Sequence, residues 1–155
     1  MDRVTYLSAD PGVSGGFVFS DRDGVLHAVR MPATEGGIVD LCRTALATHG
    51  VTTAVVEDIP KYVGHAIPSS SAAVLFRNFG FLLGTLHTLG VRTVLVTPQT
   101  WQKPLGLGTV AGAGGKPQWK RKLLAEAQRR YPNLDLTLST ADAALIYDYA
   151  IRQAL

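Results

Sequence analysis

Two short apolar runs, each stopping at a carboxylate, constrain this chain more than any other feature. Residues 4–9 read Val-Thr-Tyr-Leu-Ser-Ala before Asp10-Pro11-Gly12, and residues 52–56 read Thr-Thr-Ala-Val-Val before Glu57. Both runs have the length and the β-branched or aromatic content of buried strands. Between them, residues 16–20 and 25–31 read as two further strands joined by the hairpin turn Asp21-Arg22-Asp23-Gly24. Residues 92–96 supply a fifth. The first three strands can meander antiparallel, whereas the last two are separated by helical stretches and so join in parallel. The expected architecture is α/β: a five-stranded mixed sheet, three antiparallel strands and then parallel ones, flanked by helices. Crossover connections place the fourth strand beside the first, so Asp10 and Glu57 should end neighbouring strands at one edge.

The helices follow from periodicity and caps. Thr34 can cap a helix carrying Ile38, Leu41, Cys42, Ala45 and Leu46 inward, ending near Gly50. A long helix is expected over 70–89, with Leu75, Phe79, Leu82, Leu83 and Leu86 in one stripe and Phe76 and Phe81 off it. Gly80 and Gly84 in that helix would allow another backbone to approach closely. Thr97-Pro98 opens a short helix through Trp101. Residues 106–115 read as a glycine-rich loop, 117–130 as a basic helix, and 139 onward as a terminal helix with Ala143, Ile146, Tyr147 and Ala150 inward. No linker or repeat interrupts the 155 residues, so a single domain over 1–155 is expected.

Composition excludes several classes. A hydrophobic content of 46% fits a packed core and not a disordered chain. No apolar run reaches the roughly 18–20 residues that span a bilayer, and the N-terminus lacks the regions of a signal peptide. The single Cys42 permits no internal disulfide and reads as packing, consistent with a cytoplasmic protein. The net charge is +3, and seven of the fifteen basic residues (Lys103, Lys116, Lys120, Arg121, Lys122, Arg129 and Arg130) lie between 103 and 130. That cluster is either a nucleic-acid surface or a solvated helix face whose charges suit the helix dipole.

Three carboxylates carry the chemistry. Asp10 and Glu57 end strands, and Asp142 sits in Thr140-Ala141-Asp142-Ala143-Ala144 at the start of the terminal helix. Ionised groups brought together beside a core repel unless a cation lies between them. Mg²⁺ suits such a set because it takes hard oxygen ligands and keeps waters for substrate. Two ions about 3.5–4 Å apart can activate water and stabilise the leaving 3′ oxygen of a phosphodiester. Each residue also has a plainer reading. Asp10 can begin a turn, Glu57 can be a surface residue, and Ser139 to Asp142 has the spacing of a capping box. The histidines at 27, 49, 65 and 87 show no ligand spacing.

Taken in order, these segments resemble the RuvC family of Holliday-junction resolvases, on a ribonuclease-H-like fold. Asp10-Pro11-Gly12 with Ser14-Gly15-Gly16 is similar to the family's first motif, and Ala54-Val55-Val56-Glu57-Asp58 to its second acidic position. Thr97-Pro98-Gln99-Thr100-Trp101-Gln102-Lys103 with the following glycine loop, and Ala141-Asp142-Ala143-Ala144-Leu145, resemble its later segments. The resemblance spans essentially the whole chain. It implies a homodimer that cuts two opposed strands of a four-way junction, with Mg²⁺ or Mn²⁺, two per site, held by Asp10, Glu57 and Asp142. The family's further carboxylate, about one helical turn before the last Asp, falls here on Ser139; either Ser139 binds metal through water, or Asp58 or Asp135 compensates. Lys103 and Lys116 match basic positions near the scissile phosphate, with Lys116 counted among the catalytic residues. Lys120, Arg121 and Lys122 would grip backbone phosphates. Tyr62 would stack on a base, and the 70–89 helix would form the dimer interface.

The alternatives lie within the same fold or close to it. They are an RNA-processing nuclease of the YqgF type, a transposase-type nuclease, or a non-catalytic nucleic-acid binder that has lost its second metal. Sugar-kinase and actin-like ATPases also begin with a strand, an Asp and glycines, but need two domains around a nucleotide, for which 155 residues are too few.

Overall fold

The computed structural model describes residues 4–59 and 68–155. Its sheet contains β1 (Tyr6–Asp10), β2 (Gly16–Ser20), β3 (Leu26–Arg30), β4 (Thr53–Glu57) and β5 (Arg92–Val96), in the order β3-β2-β1-β4-β5. Pairing is antiparallel between β1 and β2 and between β2 and β3, and parallel between β1 and β4 and between β4 and β5. The fourth strand therefore lies beside the first, as the crossover argument requires.

Helices cover both faces. Successive strand residues point to opposite sides, and the two cores sort accordingly. Leu7, Ala9, Phe17, Phe19, Ala54 and Val56 face α1 (Glu35–Ala47) and α2 (Ser69–Thr88). Tyr6, Val18 and Val55 face α5 (Lys116–Arg130) and α6 (Ala141–Gln153). Ser8 also points to this second face, where its hydroxyl bonds the carbonyls of Val18 at 3.1 Å and Ala143 at 2.7 Å. That contact pins the first turns of α6 across the middle of the sheet. By the same alternation Asp10 and Glu57 project to the α6 side.

Local chemistry sets most boundaries. The Thr34 hydroxyl accepts the Gly37 amide at 3.1 Å and starts α1 where its cap predicts. Cys42 is fully buried in the α1 face, and burial pushes its thiol up to about 11, which suits a packing role. Three expectations need correction. Residues 106–115 are not wholly loop, because Thr109 caps a one-turn α4 (Val110–Ala113) through Gly112 N–H at 3.0 Å, and Gly114 ends it at φ 96°. Before it, α3 (Pro98–Gln102) runs into a 3₁₀ turn, Lys103–Leu105. The α2 stripe is broader than predicted, since Phe81, off the stripe, also packs against the core while Phe76 stays exposed. Finally, α6 is buried almost all round, from Ala141 through Asp148 and again at Ala150. Its outer side carries α5, joined by Asp148, which accepts Arg130 Nη1 at 2.5 Å and Tyr131 hydroxyl at 3.2 Å. No helix among the described residues is long and apolar enough to cross a membrane.

Glycine is required where β2 passes the start of α6. A Cβ at Gly16 would lie 2.7 Å from the Val29 carbonyl oxygen and 2.9 Å from that of Ser139, whereas one at Gly36 meets nothing within 4 Å. Gly16→Ala should therefore lower stability by roughly 1–3 kcal/mol through forced backbone shifts. Gly36→Ala, in the first turn of α1, should raise it by about 0.4–1 kcal/mol through the unfolded chain. Urea unfolding midpoints of the two variants check the opposite signs.

Candidate active site at the carboxyl edge of the sheet

The parallel register aligns Ala9 with Val56, so the next residues, Asp10 and Glu57, end the two central strands side by side. Asp142 meets them from the first turn of α6. The turn after β1 shapes the floor of this site. Asp10 Oδ1 accepts the Gly12 amide at 3.3 Å, and Gly15 N–H returns to Gly12 O at 2.8 Å. A Cβ at Gly15 would collide with the Asp10 carbonyl oxygen and lie 2.8 Å from its Cγ. Asp10 thus starts a turn and also faces the site; the two readings are compatible.

The capping-box reading of Ser139 to Asp142 is not realised. The residue preceding α6 is Thr140, and its hydroxyl accepts the Thr137 amide at 3.0 Å instead of capping the helix. Ser139 lies in the preceding turn, its amide donating to Thr137 Oγ1 at 3.2 Å. Asp142 is consequently free for other work, although it is buried at 3% exposure. Its Oδ2 accepts Lys120 Nζ, and its Oδ1 is buried without a hydrogen-bond partner. Such an orphan oxygen carries the full cost of its lost hydration, about 1–3 kcal/mol or more for a charged group.

Electrostatics record the crowding. Burial, and then the Asp142 charge, raise the Asp10 carboxyl above its ordinary range, against the pull of Lys120 and the Gly12 amide. Burial pushes Glu57 up to about 8, reinforced by the Asp10 and Asp142 charges. The Trp101 indole, donating to Glu57 Oε2 at 2.8 Å, and the Lys120 charge pull the other way. Burial alone would lower Lys120, but Asp142, Asp10 and Glu57 together outweigh it and hold the ammonium charged.

A divalent cation fits this donor set. All three side chains offer hard carboxylate oxygens, one of them orphaned, and the excess negative charge is held off only by partial protonation and one lysine. The ligand atoms are nevertheless spread. Among the described residues, the one group of three His, Cys, Asp or Glu side chains with ligand atoms all within 4.8 Å of one another is Asp21, His27 and His49. That gathering corrects the expectation that no histidines are spaced as ligands.

The basic residues divide. Lys120, expected as a phosphate contact, is half-buried and pairs with Asp142 at the site. Its sequence position carried the signal: it is four residues after Lys116 and falls in register with the buried Leu123 and Ala127 of α5. Lys116 is exposed and lines a hollow of about 560 Å³ with Gly12, Val13, Ser14, Ser70 and Ser71, next to the Asp10 turn. Lys103 and Arg121 are exposed, and Lys122 donates to Leu107 O at 2.5 Å. Arg129 and Arg130 are engaged by Glu126 within α5, and Arg130 also by Asp148, so Arg130 belongs to the α5–α6 contact. Trp101, buried under Glu57, is a site residue that sequence reasoning placed only as part of a short helix. Tyr62 lies outside the described residues.

This element order and register define a ribonuclease-H-like fold of the RuvC type. The chain is similar to Thermus thermophilus RuvC in complex with a Holliday junction substrate, at 13% identity over 97% of this chain and 96% of that one, with a TM-score of 0.62. It is likewise similar to a second Thermus thermophilus RuvC structure, at 18% identity over 97% of both chains and a TM-score of 0.58. No protein-family profile and no curated protein matches the sequence.

Because Glu57 keeps its proton up to about pH 8, the stability tied to that proton is present at low pH and is lost as pH rises from the ordinary carboxylate range through about 8. In chelator, the thermal midpoint should fall over that window, and Glu57→Gln should flatten the fall. An unchanged slope in Glu57→Gln contradicts the assignment.

Proposed function

We propose that the chain is a structure-selective endonuclease that resolves four-way DNA junctions by metal-dependent hydrolysis of phosphodiesters in two opposed strands. The observation carrying this reading is the carboxylate edge itself: Asp10, Glu57 and the half-satisfied Asp142, gathered where β1, β4 and α6 meet. The likeness to RuvC, one structure of which holds a Holliday junction, supplies the substrate class.

Asp10, Glu57 and Asp142 would hold Mg²⁺ or Mn²⁺, two per site as the resemblance implies, with Ser139 reaching a metal through water. Bound there, the metal supplies Lewis-acid activation of water and neutralises charge at the phosphate. Since Lys120 sits on Asp142 Oδ2, Oδ1 is the oxygen open to a cation. Trp101 fixes Glu57 by its indole N–H and excludes water behind it. Lys116, across the hollow from the Gly12–Ser14 turn, would steady the scissile phosphate. Its position as the first residue of α5 adds the positive end of a 15-residue helix, a natural anion site. Lys103, Arg121 and Lys122, with the exposed part of Lys120, would extend the basic surface for backbone phosphates, contacts that give affinity without sequence preference. Tyr62 would stack on a base of the junction.

Two opposed cuts require two sites, hence a homodimer. The exposed side of α2 suits that role. Gly80 and Gly84 open a hollow of about 460 Å³ with Phe81 and Leu89, and a Cβ at either glycine meets nothing within 4 Å.

Cleavage of a synthetic four-way junction beside linear duplex, in Mg²⁺ or Mn²⁺, tests the reading. Paired symmetric nicks on the junction are expected, reduced at least about 100-fold by Asp10→Asn, the scale of losing one transition-state charge stabiliser. Gly84→Arg should leave a monomer that nicks without pairing. Tight junction binding with no cleavage in either metal would replace the enzyme with a non-catalytic binder, and preferential cutting of RNA would redirect it to RNA processing.

A further inference from the structure

At the opposite end of the sheet, three side chains converge that the carboxylate edge does not use. Asp21 ends the β2 side of the hairpin, His27 lies in β3, and His49 follows the last turn of α1. Each offers one ligand atom, and these atoms all lie within 4.8 Å of one another. The three are half-buried.

Each is held in place by its own part of the fold. Asp21 Oδ1 accepts two backbone amides, Asp23 N–H and Val25 N–H, both at 2.9 Å, which leaves Oδ2 turned toward His27. His27 is the cross-strand partner of Phe19 and stacks on its ring, with centroids 5.1 Å apart and planes at 20°. His49 lies 5.2 Å from the same phenyl ring and 5.1 Å from the His27 ring. The Gly50 amide closes onto Leu46 O at 3.1 Å with Gly50 at φ 73°, so the helix end that carries His49 is itself pinned. Preorganisation of ligands by backbone bonds and packing is what a metal site needs from its surroundings.

We propose that Asp21, His27 and His49 form a binding site for a borderline transition-metal ion of the Zn²⁺ class. Two imidazoles and one carboxylate, with one position left to water, is a known zinc donor set, and nitrogen ligands discriminate against Mg²⁺. The separation of His27 Nε2 from Asp21 Oδ2 is 3.1 Å. Ligands bound to tetrahedral zinc at about 2.0–2.2 Å are roughly 3.3–3.5 Å apart, so this pair already spans nearly one edge of the coordination polyhedron. The site also sits at the carbonyl end of α1, a 13-residue helix whose dipole favours a cation there. Arg22, whose Nε would lie 3.0 Å from a Cβ at Gly50, is the neighbouring positive charge that the carboxylate and the helix end offset. The bound metal would clamp the β2–β3 hairpin to the end of α1. This site stands whether or not the chain cuts junctions.

The test uses the full chain, stripped with chelator and then held in excess Mg²⁺ so that the carboxylate edge is occupied. Zn²⁺ is titrated calorimetrically, and Co²⁺ is added separately for its visible spectrum. The expected result is one equivalent of Zn²⁺ per chain, Co²⁺ bands of tetrahedral intensity, and a thermal midpoint raised by Zn²⁺. His49→Gln and His27→Gln should each weaken Zn²⁺ binding at least tenfold and abolish the thermal shift. His49 decides the matter, because it lies beyond the helix and the calorimetric loss of Zn²⁺ binding in His49→Gln is read independently of any change in the metal-free midpoint. Absence of a one-equivalent site, or Zn²⁺ binding unaltered by His49→Gln, overturns the proposal and leaves an aromatic cluster that joins hairpin to helix.

Discussion

Parallel pairing of β1 with β4 is the constraint from which the rest of the carboxylate edge follows. Once Ala9 is opposite Val56, strand alternation decides that Asp10 and Glu57 emerge together on the face that α6 covers. The Ser8 hydroxyl then ties that helix to the sheet through Ala143 O, one residue beyond Asp142. A one-residue slip of either strand would turn its acid toward α1 and α2, dismantling the site and exchanging the residues that the strand gives to the two cores. The glycines at 15 and 16 serve the same geometry, since side chains there would displace Asp10 or the turn entering α6.

Bringing three carboxylates to the edge of a core is unfavourable, and the chain meets the cost in three ways. Glu57 retains its proton and accepts a bond from Trp101, Asp10 accepts a backbone amide, and Asp142 takes the Lys120 ammonium. These measures leave Asp142 Oδ1 unsatisfied. The ion-pair network of Asp148 leaves no such remainder: it draws on Arg130, Arg152 and Tyr131 through both of its oxygens. The contrast separates a cluster that braces two helices from one that keeps an unsatisfied carboxylate oxygen, as the proposed cation site would require.

Strands were legible because each is a short apolar run bounded by strong turn signals, and the two acids could be placed because they directly follow such runs. The site was less legible where it depends on helix faces. Lys120 reads as one of a basic series, and only its register with Leu123 and Ala127 turns it inward. Arg129 and Arg130 look equally free until Glu126 and Asp148 are seen beside them. Asp142 has the spacing of a capping box, but the Thr137–Thr140 turn withdraws the hydroxyl that could have competed for the helix start. The cluster of Asp21, His27 and His49 could not be found from spacing at all. It exists only after β3 folds back on β2 and α1 returns its end to the same corner.

If the carboxylate edge is a cation site that protonation now holds in balance, metal uptake must expel a proton. Mn²⁺ titrations of the chelator-stripped protein near neutral pH, repeated in buffers of different ionisation enthalpy, measure that release directly. The account predicts saturable binding that releases close to one proton per chain from Glu57, with the release lost in Glu57→Gln and binding strongly weakened in Asp142→Asn. Binding without proton release, or affinity unchanged by Asp142→Asn, would contradict it.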